Sequence, residues 1–418
     1  MKQVLTARQR GFEDLAAGLA DRFAERAARH DTANTFPEQN YDDMREAGFL
    51  RLTVPEELGG LGASLAEMLP ALERLAAGDG STALAVTMHV SPLGQWSAVW
   101  RRTRAPALEA MLRGAARGEL VWAALTAEAG VPNRMTDART TATRADGGYR
   151  LNGRKTFATN SAVATHCSTT ARYDDPRLGP RLMVFRVDLS DPAVTVHRTW
   201  DTLGMRATQS NDVEYRDLFV SEEALVHSQP IGHFDARVLE TVFTWSLPAF
   251  GAVYTGIAQG GLSWALDLLR QRDPTGPPGV RTVVADVDIL LEQSRAMYTR
   301  HAAEAATGAM YEGMTVQEGL ARCAVVKHVC TENAIRAMDL LAGVVGGVAY
   351  SRSQPFERMW RDVQAGRFMP FDPSSARDLI GASALGVTLA PEVGAEDAWP
   401  AGRSRPAPAE PDPGTRVA

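Results

Sequence analysis

Phe157 and Thr159 stand two apart at the end of RTTATRADGGYRLNGRKTFATN, a run whose polarity alternates as a strand's does. Side chains along a strand alternate between faces, so the pair is expected to point the same way, an aromatic ring beside a hydroxyl. Asn160 and Ser161 follow directly and add an amide and a second hydroxyl. Read from the residues alone, this is a strand end with a core Phe and a solvated Thr. His89 lies in STALAVTMHVSPLGQW, an apolar helical run. An imidazole there could hydrogen-bond a reactant or take a proton from an N–H or O–H. It could equally be a satisfied core residue, and the two readings weigh evenly. Asp372 could act as a base if its loop, FMPFDPSS, turned inward, although an exposed loop carboxylate is the plainer reading. His166, at an expected strand end, reads as structural. Cys167, Cys323 and Cys330 have no metal-ligand spacing, and the last two, seven apart on an apolar helical pattern, read as packing residues.

The elements that must position these residues fall into three parts. Residues 1–119 form an N-terminal α-helical domain: LTARQRGFEDLAAGLADRFAERAARH and SLAEMLPALERLAAG repeat apolar residues at helical spacing. Residues 120–232 form a central β domain, because ELVWAALTAE, RLMVFRVDL and DVEYRDLFV are short alternating runs separated by turns such as Asp146-Gly147-Gly148. The helical period returns over 233–388, a C-terminal bundle. There FDARVLETVFTWSLPAFGAVYTGIAQGGLSWALDLLRQ is too apolar all round for a surface helix and should be central, with a kink at Pro248. The Pro-, Gly- and charge-rich tail, 389–418, is expected to be disordered.

Composition narrows the classes. The 418 residues are 45% hydrophobic and 22% charged, enough for more than one core. A net charge of −6 gives no basic footprint for nucleic acid. Lysine occurs only at Lys2, Lys155 and Lys327, which reads as a coding bias toward arginine. Three cysteines form no disulfide framework and fit a reducing, cytoplasmic compartment. MKQVLTARQRGFEDL lacks the apolar segment of a signal peptide, and the apolar stretch 239–269 is interrupted by Thr, Ser, Pro and Gly, so no membrane span is expected.

The stretch GVVGGVAYSRSQPFERMWRDVQAGRFMPFDPSSARDLIG, 343–381, resembles the end of the acyl-CoA dehydrogenase family. Gly346–Gly347, Tyr350 and Arg361–Asp362 match. LTAEAG, DTLGMRATQSNDVEYRDLFVSEEAL and GIAQGGLSWALD resemble further family segments in the right order, over roughly 30–388. The resemblance implies an α+β, acyl-CoA dehydrogenase-like fold: a helical N-terminal domain, a central β-barrel domain and a C-terminal four-helix bundle, assembled as a homotetramer. It also implies a flavin, FAD or FMN. Thr126 would bond the pyrimidine edge, Phe157 would cover one ring face, and Thr159 would sit near N5 with Ser161 beside it.

The usual chemistry is missing. The family's catalytic Glu, base for an α-proton, falls on Pro370, and proline cannot accept a proton. Members that carry the base on the core helix have it where this chain has Ser246, and Glu240 lies six residues earlier, on what reads as a solvated helix end. Thr244 and Leu247 replace an Asp and Arg that contact CoA. Gly343, Asp372 and the segment RQRDPTGPPG (270–279) replace contacts to the ADP half of FAD. The family's two-component monooxygenases, of the dibenzothiophene, p-hydroxyphenylacetate and N-hydroxylase types, need no α-proton base. They take reduced flavin from a separate reductase and use O2. The expectation is therefore a flavin-dependent monooxygenase of a small-molecule N, S or C centre. His89, Asn160, Ser161 and Asp372 are its candidate catalytic residues; Thr126, Phe157, Thr159 and Ser161 are its flavin contacts. An acyl-CoA or acyl-carrier dehydrogenase with a relocated base is the alternative, and a non-catalytic subunit a third reading.

Overall fold

The computed structural model describes residues 4–130, 136–273 and 275–389. The expected disordered tail therefore lies outside the described residues from 390 onward, as do 131–133 of the segment that follows Thr126 and position 274 of the 270–279 segment.

Helices α1 (Ala7–Ala33), α2 (Glu38–Glu46), α3 (Leu65–Gly78), α4 (Gly80–Thr103) and α5 (Pro106–Ala116) come first. Thr6 starts α1 and Ser64 starts α3 by reciprocal capping with Gln9 and Glu67, which satisfies two otherwise orphaned amides at each start. Gln9 also donates through Nε2 to Ala66 O at 2.9 Å. That carbonyl is the one Pro70, four residues on in α3, cannot bond.

Strands β1 (Trp122–Leu125), β2 (Thr141–Ala145), β3 (Gly148–Ala158), β4 (His166–Asp175), β5 (Gly179–Asp188), β6 (Val194–His197), β7 (Asn211–Ser221) and β8 (Leu225–Pro230) follow. They form one eight-stranded sheet in the order β6-β7-β3-β2-β4-β5-β8, with β1 parallel to β4. Leu151, Phe185, Val213 and Tyr215 are buried at its centre. Along β3 and β7 the register moves from Lys155 opposite Val213 to Ala158 opposite Asn211, a bulge of one residue.

The C-terminal part holds a short turn, α6 (Ala236–Val238), then a π-helical turn (Leu239–Phe243), α7 (Thr244–Arg272), α8 (Pro278–Ala306), α9 (Val316–Val345), α10 (Pro355–Val363) and α11 (Pro373–Leu385). As expected, α7 is central: it packs against α3, α4, α8 and α9 and is buried along most of its length from Leu247 to Leu262. Pro248 falls within its first turns, and the backbone irregularity sits just before it, in the π turn. The carbonyl that Pro248 leaves without an amide, Thr244 O, accepts instead from His301 Nε2 of α8 at 2.9 Å. No helix of the described residues is long and apolar enough to cross a membrane.

Candidate active site

β1 delivers the chain to Thr126, and Thr156 N of β3 donates to Ala127 O at 2.9 Å, pinning that turn to the strand that carries Phe157. Beneath it lies a buried charge pair. Lys155 Nζ donates to Glu128 Oε1 at 2.5 Å, to Thr170 O at 2.6 Å and to Thr170 Oγ1 at 3.0 Å. Glu128 also accepts from Thr140 N at 3.0 Å, Thr140 Oγ1 at 2.5 Å and Arg139 N. Burial opposes ionisation of Glu128, but Lys155 and these donors prevail and hold the carboxyl below its ordinary range. Neither residue stood out in the sequence. The visible signal was that lysine is scarce, and two of the three lysines turn out to be interior.

The bulge corrects the expectation from alternation. Phe157 takes a left-handed backbone, φ 54°, and is 61% exposed, while Thr159 is buried. A bulge re-aims a side chain and breaks the period of two. Phe157 meets Trp200 edge-on, ring centroids 5.8 Å apart, so the pair forms an aromatic wall on the open side. Thr159 Oγ1 hydrogen-bonds Ser210 Oγ at 2.8 Å, Ser210 continues to Thr208 at 2.8 Å, and Ser161 Oγ donates to Gln209 O at 3.4 Å. An exposed aromatic face rising beside a row of hydroxyls, with Thr126 tethered to the same strand, fits a planar ring with one polar edge, as a flavin has.

Asn160 is spent elsewhere. It is fully buried, its Oδ1 accepts from Tyr41 OH at 2.5 Å, and its Nδ2 donates to Trp122 O at 2.8 Å. His89 is equally committed: Nδ1 accepts from Trp122 N at 3.1 Å and Nε2–H donates to Leu50 O at 2.8 Å. The two together join α2, α4 and β1, and each expected catalytic group has its hydrogen-bonding atoms paired within the protein. Asp372 caps α11, accepting from Ser374 N at 2.9 Å and Ser375 N at 3.1 Å. Its bond to Ser375 Oγ, backed by these amides, holds the carboxyl below its usual range. It is exposed and faces its own helix, which does not favour the expected role as base. His166 bonds Thr165 Oγ1 at 3.0 Å and stacks on Trp122, a structural placement. The three cysteines are buried and unpaired, as packing residues should be.

Burial pushes the His89 imidazole down to about 4. The folded protein thus resists protonating a group that, unfolded, protonates near pH 6.5. Stability is full above pH 6.5 and is lost as pH falls toward 4. Between pH 7 and pH 5 wild type is expected to lose about 2 kcal/mol more than His89→Gln in urea unfolding. Equal losses would show that the imidazole is hydrated or already charged.

Pro370 lies half-buried between Met369 and Phe371, and Phe371 stacks on Phe243 of the π turn at 5.8 Å. Lys327 Nζ of α9 donates to Met369 O at 3.0 Å and Phe371 O at 2.8 Å. The matched Arg361–Asp362 pair is a tie between parts: Arg361 reaches Asp31 of α1 at 2.6 Å and Leu203 O at 2.7 Å, and Asp362 accepts from Met205 N at 2.5 Å. Ser246 is half-buried on α7. Glu240 was expected on a solvated helix end. It is half-buried on the π turn and lines a cavity of about 230 Å³ with Gln95, Arg101, Arg102, Trp245 and Tyr311. The π turn sets it there; helical periodicity carries no sign of an extra residue per turn.

Three family models cover the chain: the acyl-CoA dehydrogenase N-terminal domain matches residues 6–119, the middle domain 123–218 and the C-terminal domain 236–370. The amino sugar nitrososynthase DnmZ of Streptomyces peucetius is 33% identical, over 85% of this chain and 88% of that protein. The putative acyl-CoA dehydrogenase YdbM of Bacillus subtilis is 30% identical, over 87% and 93%. Among solved structures, KijD3 in complex with FMN and dTDP-3-amino-2,3,6-trideoxy-4-keto-3-methyl-D-glucose superposes with a TM-score of 0.83 at 31% identity, covering 92% of this chain and 96% of that one. With all three domain models matched in order and relatives of this identity aligned almost end to end, the chain belongs to the acyl-CoA dehydrogenase family of flavin-dependent oxidoreductases.

Proposed function

We propose that this chain is a flavin-dependent monooxygenase that oxidises the nitrogen of a small-molecule amine, in the class of amino sugars carried on a nucleoside diphosphate. The observation that carries this reading is the loop at Pro370. The position that would hold a proton-abstracting carboxylate has none, Ser246 supplies none on α7, and Asp372 is bound to its own helix. Oxygen transfer does not require that base. The nitrososynthase relatives, including one solved with FMN and an amino sugar nucleotide, point to nitrogen.

Thr126, Phe157, Trp200 and Thr159 would hold the ring, and a reductase would deliver it reduced as FMN or FAD. Reduced flavin supplies the two electrons that, with O2, place one oxygen atom on the substrate and release the other as water. The protein's part is to orient the amine, keep water out and hold the Thr159 hydroxyl, bonded to Ser210, near N5 while Thr126 meets the ring's polar edge. Assembly as a homotetramer through the C-terminal part belongs to the same proposal, supported by the exposed Ile289, Phe368 and Leu385 there.

The second reading, an acyl thioester dehydrogenase, has one feature in its favour: Glu240 at a cavity beside the π turn, together with the YdbM relative. Stopped-flow absorbance separates the two. Anaerobic protein with reduced FMN or FAD, mixed with oxygenated buffer, should show a transient that outlives that of free flavin. Amine substrates of the nucleotide-sugar class should raise O2 uptake, and Asp372→Ala should retain that turnover. Bleaching of oxidised flavin by an acyl thioester, lost in Glu240→Gln, would overturn the oxygenase.

A further inference from the structure

We propose that Lys327 is a positioning residue of this enzyme: by bridging the main-chain carbonyls of Met369 and Phe371 it fixes the Pro370 loop, against which the π turn that borders the cavity packs. This rests on the oxygenase reading for the cavity's use, though not for the bridge itself.

The stretch from Met369 to Pro373 is poor in hydrogen-bond donors. Pro370 and Pro373 have no amide hydrogen, and the turn before them ends at Arg367. Carbonyls that cannot pair along the chain need a donor from elsewhere. Lys327 supplies it from the middle of α9, at 3.0 Å and 2.8 Å, and is 1% exposed. Among the described residues no carboxylate lies within ion-pair distance of it, so this ammonium is buried on neutral oxygens. Burial pushes it down to about 8, with Glu332 and Asp372 pulling the other way. A charged donor makes a stronger bond to a carbonyl than a neutral one, and two such bonds from one nitrogen fix the spacing of the carbonyls on either side of Pro370. The loop passes its position on: Phe371 stacks on Phe243, in the π turn that also presents Glu240 and leads into Thr244 and Trp245 at the cavity.

Hydrogen exchange of the 364–372 peptide tests the bridge without any turnover. Lys327→Met should exchange on the order of tenfold faster there, with the α7 and α8 peptides unchanged, and Lys327→Arg should lie near wild type. In the reduced-flavin assay Lys327→Met should release several-fold more hydrogen peroxide per O2 and show a raised amine KM at unaltered flavin affinity, again restored by arginine. An unchanged 364–372 peptide would overturn the proposal. So would faster exchange with coupling and KM intact, which would make Lys327 structural only. If Lys327→Met does not fold, Lys327→Gln, whose shorter and uncharged amide cannot bridge both carbonyls, carries the same measurements with the same expected direction. Wild-type protein that takes up no O2 with reduced flavin would refute the oxygenase reading, and the exchange result would still decide whether Lys327 holds the loop.

Discussion

Lys155→Met is expected to cost about 3–5 kcal/mol and to abolish flavin binding. The loss comes from what stays behind. Glu128 keeps its contacts to Thr140 and Arg139 but loses the ammonium that made a buried carboxylate tolerable. Methionine fills the space without restoring charge, so the cost is that of an unpaired buried anion. Flavin binding goes with it, because Glu128 lies two residues beyond Thr126 and Lys155 two before Phe157. One broken pair thus loosens both the turn at Thr126, proposed to meet the flavin's polar edge, and the aromatic wall. The double variant Lys155→Met/Glu128→Gln should recover a good part of the stability, since it removes the stranded charge. Urea unfolding with flavin titration on the three variants checks this. A single-variant loss under about 1 kcal/mol with flavin affinity intact would mean that water already solvates Glu128.

Gly256→Ala should destabilise by about 3 kcal/mol or more. Helix propensity alone predicts the opposite sign, a gain of about 1 kcal/mol for alanine over glycine inside a helix. Packing decides. A methyl on Gly256 would come within 2.8 Å of Ala76 Cβ and closer still to Glu73 O, and one on Gly260 would strike Ala77 O. The backbones of α3 and α7 therefore touch at these glycines, and no rotamer of a rigid neighbour can yield. Separating the helices would also disturb Glu73, whose side chain receives Arg295 Nη2 of α8 at 2.6 Å. Chemical denaturation compared with Gly279→Ala, an open helical position, isolates the packing cost. Equal stabilities would refute the close approach.

These glycines show what the sequence could tell. GIAQGG marked the core helix by resemblance, but the reason for the motif, backbone against backbone, required both helices at once. Pro370 was legible because the segment aligns from Gly346 without a gap, so counting sufficed. Phe157 was not, because one bulged residue between Lys155 and Ala158 reverses a parity argument. Glu240 failed for the helical counterpart of that reason, a π turn. His89 could be weighed only evenly because its partners, Leu50 O and Trp122 N, are main-chain atoms 39 and 33 residues away, and composition says nothing of them. Lys327 was hidden by a statistical reading of scarce lysines, which explains their number and not their places.

The prolines within α3 and α7 have a consequence for how helices find their places along one another. Each leaves a carbonyl that its own helix cannot serve, and in each case a side chain from a neighbouring helix completes it, Gln9 for Ala66 and His301 for Thr244. A neighbour that slid by a residue would leave an acceptor empty, at about 1–3 kcal/mol for the buried Thr244 O and less for the part-buried Ala66 O. Apolar contacts tolerate such slippage far better. The two prolines therefore work as keys: they convert helical hydrogen bonds, which are indifferent to neighbours, into bonds that only one alignment of α1 on α3, and of α8 on α7, can close.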